Sequence, residues 1–79
     1  MDLTARRSQL HQRVRLTFHD GEVVDATLLG LDPIHHQDLT YEVLAVIRHG
    51  EPPARGTAIG ATCIAGSGEL RAWAVSTNR

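Results

Sequence analysis

The chain has 79 residues, enough for one domain and too few for two, and so short a chain buries only a modest share of its unfolded surface. Apolar residues make up 42% of it and the net charge is −1, which excludes general disorder and a uniformly basic or acidic protein. No apolar run approaches the roughly 20 residues that span a bilayer, and MDLTARRSQLHQR lacks the apolar centre of a secretory signal, so a cytoplasmic protein without membrane contact is expected.

Residues 3–12 place Leu3, Arg7 and Leu10 at helical spacing, with Asp2 or Thr4 available as N-cap, and predict a short N-terminal α-helix within residues 1–13. Val14, Leu16 and Phe18 then alternate with Arg15, Thr17 and His19, the period of a half-buried strand. Asp20-Gly21 follows at once, and this dipeptide between apolar runs signals a two-residue hairpin turn. The second strand runs through EVVDATLLGL, with Ala26 and Gly30 as small residues where a bent strand can curve. Asp32-Pro33 ends it, and IHHQD reads as a loop. LTYEVLAVI is the third strand, apolar on both faces from Val43 to Ile47. RHGEPPARG is a loop, TAIGATCIA the fourth strand, Gly66-Ser67-Gly68 a hairpin turn and ELRAWAV the fifth strand. In that last strand alternation puts Arg71, Trp73 and Val75 on one face and Leu70, Ala72 and Ala74 on the other. Residues 76–79 form a tail expected to fray.

Short strands in succession indicate one all-β domain, a small five-stranded barrel over residues 14–75. The order of helix, strand, Asp-Gly turn, long bent strand, loop, strand and late turn resembles the Sm-like family of small barrels, itself SH3-like in architecture, in a divergent bacterial-type form. In VRLTFHDGEVVDATLLGLD, Asp20, Gly21, Ala26, Leu28 and Asp32 stand in register with the family's first motif. His36, Gln37, Asp38 and Leu39 follow where the family has an aromatic or His, any residue, Asn and Leu. Ile64, Ala65 and Gly66 stand where it has an apolar residue and Arg-Gly.

The resemblance implies a non-catalytic binding module that assembles as a homo-oligomeric ring, in which the fourth strand of one subunit pairs with the fifth of the next. It also implies an RNA pocket in which the His stacks on a base, the Asn reads its edge and the Arg closes the site. Carried onto this chain, His36 retains the stacking role, Asp38 accepts but does not donate, Ala65 supplies neither charge nor plane, and Gly66 keeps the turn. Arg55-Gly56 also spells Arg-Gly, but before the fourth strand.

Charge is segregated along the chain. Residues 16–47 hold six acids and no Lys or Arg, whereas Arg6, Arg7, Arg13 and Arg15 crowd the start, so phosphate contacts are expected from these four arginines. Phe18, Tyr41 and Trp73 are the only aromatics, too few for an interleaved stacking platform. The alternative is a protein-interaction or assembly subunit that has lost RNA recognition. A metal-binding protein is a third reading, built on His35, His36 and Asp38 with His19 or His49, but the spacing fits no zinc signature. No nucleophile elbow, phosphate loop or cofactor motif is present, so neither an enzyme nor a cofactor is expected. Cys63 is the single cysteine and lies in the apolar run AIGATCIA, where a buried small hydrophobe is expected.

Overall fold

A computed structural model describes residues 2–51 and 57–76. A 3-10 helix, Thr4–Gln9, precedes five strands: β1 (Arg13–Phe18), β2 (Val23–Asp32), β3 (Asp38–Arg48), β4 (Thr62–Gly66) and β5 (Leu70–Val75). All pairings are antiparallel within one sheet of order β4-β3-β2-β1-β5. The expected all-β, five-stranded architecture is therefore present. No helix among the described residues is long and apolar enough to cross a membrane.

The sheet cannot be flat. β4 and β5 are its two edges, yet only Ser67–Glu69, a single 3-10 turn, lies between them. That link spans at most about 14 Å from Gly66 to Leu70, whereas the outer strands of a flat five-stranded sheet lie roughly 19 Å apart. The sheet must curl, and β2 and β3 supply the bend through register shifts at Val23/Val24, Asp25/Ala26 and Leu28/Gly30. Two of these irregularities fall at Ala26 and Gly30, the small residues expected to permit curvature. The curl encloses one core: Val14, Leu16 and Phe18 of β1, Val24, Ala26 and Leu28 of β2, Leu39, Tyr41 and Val43 of β3, Ala65 of β4, and Leu70 and Trp73 of β5. Leu3 is buried with them, and Cys63 packs partly buried against them.

Several local expectations change. The N-terminal helix is six residues of 3-10 rather than an α-helix over 3–12, because the sheet captures the residues after it. His11 N donates to Leu28 O at 2.7 Å and Leu28 N to Gln12 O at 3.1 Å, and His11 takes φ 66 to make that exit. Asp2 does meet the helix start, its Oδ1 accepting from Thr4 N at 2.9 Å. The fourth strand is shorter than expected, since residues 57–61 turn through Gly60 at φ 86 before β4 begins. Gly66-Ser67-Gly68 is not a hairpin turn, because β4 and β5 do not pair and the segment crosses from one edge of the sheet to the other.

The faces of β5 also differ from simple alternation. Phe18 pairs with Leu70 but Thr17 with Ala72, so Arg71 is bulged out, and Leu70 and Trp73 share the core face. Beyond Val43, β3 is not covered on both faces, as Ile47 is half-exposed. Pro52 to Gly56, including Arg55-Gly56, lie outside the described residues, as do positions 77–79 of the expected tail.

The Asp-Gly turn has three loop residues, not two. Gly21 N donates to Phe18 O and Phe18 N to Glu22 O, with Gly21 at φ 92, a type I turn closed by a glycine bulge. This choice sets the register, pairing Arg15 with Asp25 and Leu16 with Val24. A two-residue loop would set Asp25 across from Leu16 and drive a carboxylate toward the core.

A methyl group added at Gly21 meets no atom within 4 Å, so Gly21→Ala should cost only backbone strain, about 1–2 kcal/mol. Leu16→Ala, which opens a cavity at a fully buried site, should cost about 2–5 kcal/mol. Urea unfolding of both variants measures the difference, and equal losses would contradict the assignment of the Gly21 turn.

Candidate nucleic-acid interface

His36, Asp38 and Gly66 meet at one corner of the sheet. Asp32 at the end of β2 pairs with Asp38 at the start of β3, so residues 33–37 close a tight loop over the end of that hairpin. Asp38 in turn pairs with Gly66 of β4, and Ser67 N donates to Gln37 O at 2.7 Å. Asp32 shapes the loop. Its Oδ1 accepts from the backbone N of Ile34 at 3.3 Å and of His35 at 3.0 Å, and its Oδ2 accepts from His36 Nδ1 at 2.8 Å. Gln37 completes the reversal with φ 50, a region that non-glycine residues use sparingly.

The electrostatics of this corner follow from those bonds. The bond from His36, helped by the backbone N–H groups, lowers the Asp32 carboxyl to about 2. The same hydrogen bond raises the His36 imidazole above its ordinary 6.5, with the charges of Asp32 and Asp38 adding to the effect. The His36 side chain is 75% exposed, so a ring held at Nδ1 still presents its faces to solvent. Asp38 is half-buried, and among the described residues no group donates a hydrogen bond to its carboxylate. Ala65 is different: it is 1% exposed, pairs with Leu39 and belongs to the core. An arginine placed there would enter the core and not close a pocket.

The four N-terminal arginines divide among three places. Arg13 and Arg15 lie on the outer face of β1 and converge on Asp25, whose side chain is 1% exposed. Arg13 Nη2 donates to Asp25 Oδ2 at 2.9 Å, while Arg15 donates through Nε to Oδ1 at 2.7 Å and through Nη2 to Oδ2 at 3.1 Å. Arg6 stacks over the Trp73 ring at 5.4 Å, and Trp73 Nε1 donates to Gln9 Oε1, which binds the 3-10 helix to β5. Arg7 is exposed and enters no ion pair among the described residues.

Sequence reasoning missed Asp25, Asp32 and Gln9. The first carried a usable signal: Arg13 and Arg15 alternate on one face, and a glycine-bulge hairpin places Asp25 opposite Arg15. Asp32 four residues before His36 on a turn was a second. Gln9 carried none, since its partner is 64 positions away. Among the described residues no three His, Cys, Asp or Glu groups converge as metal ligands. No known protein family, curated protein or solved structure matches the chain.

Two outcomes are expected at these charges. Because the folded pKa of His36 is raised, the ion pair with Asp32 is complete below 6.5 and is lost as pH rises through the raised value; at the acid end it is lost as pH falls toward about 2. NMR titration should place His36 above 6.5 and Asp32→Asn should bring it back down; a His36 titrating at or below 6.5 in the parent chain would refute the pairing. Hydrogen bonds from Arg15, and also from Arg13, hold the Asp25 carboxyl below its ordinary 3.8 against the opposing effect of burial, so its contribution is present above that pH and lost as pH falls through the lowered value. Asp25→Ala should cost about 2 kcal/mol in chemical unfolding at neutral pH, and a neutral effect would show that Arg13 and Arg15 draw nothing from the pair.

Proposed function

We propose that this chain is a non-catalytic, Sm-like binding module that takes single-stranded RNA at the corner built by His36, Asp38 and Gly66 and works as a homo-oligomer. One observation carries the reading: the loop that Asp32 shapes holds the His36 ring in a fixed orientation beside an acceptor, Asp38, that no group among the described residues satisfies. A fixed, exposed imidazole is a stacking face for a base. Phosphates are met elsewhere. Arg7 is exposed and makes no ion pair among the described residues, and the Arg6 guanidinium rests on Trp73. Arg13 and Arg15 share a single carboxylate and so carry a net positive charge on the outer face of β1.

Assembly follows from the edges. Among the described residues β4 and β5 each have one side without a partner strand, and β4 exposes Ile64 by 68% while β5 exposes Val75 by 44%. Pairing the β4 edge of one copy with the β5 edge of another would cover both, as the family resemblance implies. The second reading, an assembly subunit without RNA recognition, is favoured by two observations: the corner presents a carboxylate at Asp38, and Ala65 is consumed by the core.

RNA binding is tested by fluorescence anisotropy with a mixed pool of short single strands across a salt series. The expected result is salt-sensitive binding, with Arg7→Ala reducing the slope of log affinity against log salt by about 0.7, the share of a single phosphate. No binding at low salt would reject the RNA reading in favour of the assembly subunit. Light scattering tests the edges: the parent chain should form a closed oligomer and Ile64→Asp should release monomers, while a parent monomer would sink the ring.

A further inference from the structure

The carboxylate of Asp38 says which base this corner would prefer. Resting on the RNA-binding reading above, we infer that Asp38 recognises the Watson–Crick edge of guanine. Donors and acceptors decide the choice. An ionised carboxylate accepts at two oxygens and donates nothing, and Asp38 receives no hydrogen bond from the described residues. Guanine alone among the four bases offers two adjacent donors on one edge, N1–H and the N2 amino group, spaced to meet both oxygens. Uracil offers one N–H flanked by two carbonyls that a carboxylate repels. Adenine and cytosine each offer one amino group beside a ring-nitrogen acceptor.

The surroundings support that choice. The backbone of Asp38 is fixed by pairing with Asp32 on one side and Gly66 on the other, so the carboxylate is presented from a rigid strand end. Gly66 contributes no side chain opposite it; the nearest group is the Glu69 carboxylate, which accepts from Gly66 N at 2.7 Å and stands 3.6 Å from where a methyl group on Gly66 would lie. With Asp32 and Asp38 beside one imidazole, the corner is net negative whether or not the ring is protonated, and favours a donor-rich base edge over a phosphate. His36, anchored at Nδ1 by Asp32, offers an exposed ring face, and the larger purine ring is the better stacking partner for it.

The test uses the full chain and five short RNAs that share an adenine background and differ at one central position: guanine, hypoxanthine, adenine, cytosine or uracil. Anisotropy should show guanine preferred over adenine, cytosine and uracil by about tenfold or more, the discrimination of a bidentate contact. Hypoxanthine keeps N1–H but lacks the amino group and should fall between. Asp38→Asn, which keeps size and shape, should abolish the guanine preference without changing the melting temperature by more than a few degrees. RNA binding with equal affinity for all five strands, or a guanine preference that persists in Asp38→Asn, would overturn the inference and leave the RNA reading intact. Failure to bind any of the five would overturn both.

Discussion

Three residues between two sheet edges constrain the whole molecule. Because Ser67–Glu69 is all that separates β4 from β5, the outermost strands must approach at one end, and every other feature accommodates the curl. The bulges in β2 and β3 bend the sheet where small residues allow it, and the bulge at Arg71 turns Leu70 and Trp73 onto one face so that both enter the core. A chain of this size has little surface to bury, so curling the sheet on itself is what gives each strand a shared interior. The 3-10 helix then covers part of that interior by lodging Leu3 in the core and Gln9 on Trp73.

Charge is distributed by the same geometry. The three-residue turn at Asp20-Gly21 sets the β1–β2 register, and that register places Asp25 under Arg13 and Arg15 instead of in the core. A carboxylate removed from water needs partners, and the two guanidiniums supply them while keeping their outer edges wet. A run of basic residues that in one dimension looks like a single patch thus becomes a structural clamp, a stacked cap on Trp73 and one exposed cation. The acidic middle of the chain is likewise resolved into particular roles: Asp25 anchors arginines, Asp32 anchors a loop and Glu22, 1% exposed, accepts from Thr57 Oγ1 at 2.7 Å.

Much of this is legible in the sequence and some is not, for reasons that can be named. Period-2 alternation in Val14, Leu16 and Phe18 marks β1 because one face is fully buried and the other is not. Ala26 and Gly30 mark curvature because only small residues tolerate the crowding of a bent strand. The turn type stays hidden because Asp-Gly serves both a two-residue loop and a glycine bulge, and only the positive φ at Gly21 alone, without one at Asp20, separates them. Alternation fails in β5 because a bulge is invisible to periodicity. At the candidate site, the loop position of His36 and Asp38 is readable, and the four-residue spacing from Asp32 to His36 on a turn carries a signal for their bond, whereas the burial of Ala65 depends on pairing with a strand more than twenty residues away.

The two edges that the curl leaves without partner strands among the described residues bear on how the protein would exist in solution. Such an edge offers backbone donors and acceptors to any passing strand, and proteins commonly guard it with charge, proline or extreme shortness. Here β4 is five residues, Thr62–Gly66, with no charged side chain, and β5 carries only the bulged Arg71. Shortness protects β4, and the Glu69 carboxylate takes the N–H of its last residue, Gly66, but both coexist with an exposed Ile64. A lone chain would keep that apolar side chain and those backbone groups in water, whereas an edge-to-edge neighbour satisfies them at once. The same corner that ends β4 at Gly66 also holds Asp38 and the His36 loop. In the closed assembly proposed above, the His36–Asp38 corner would therefore recur beside each subunit seam.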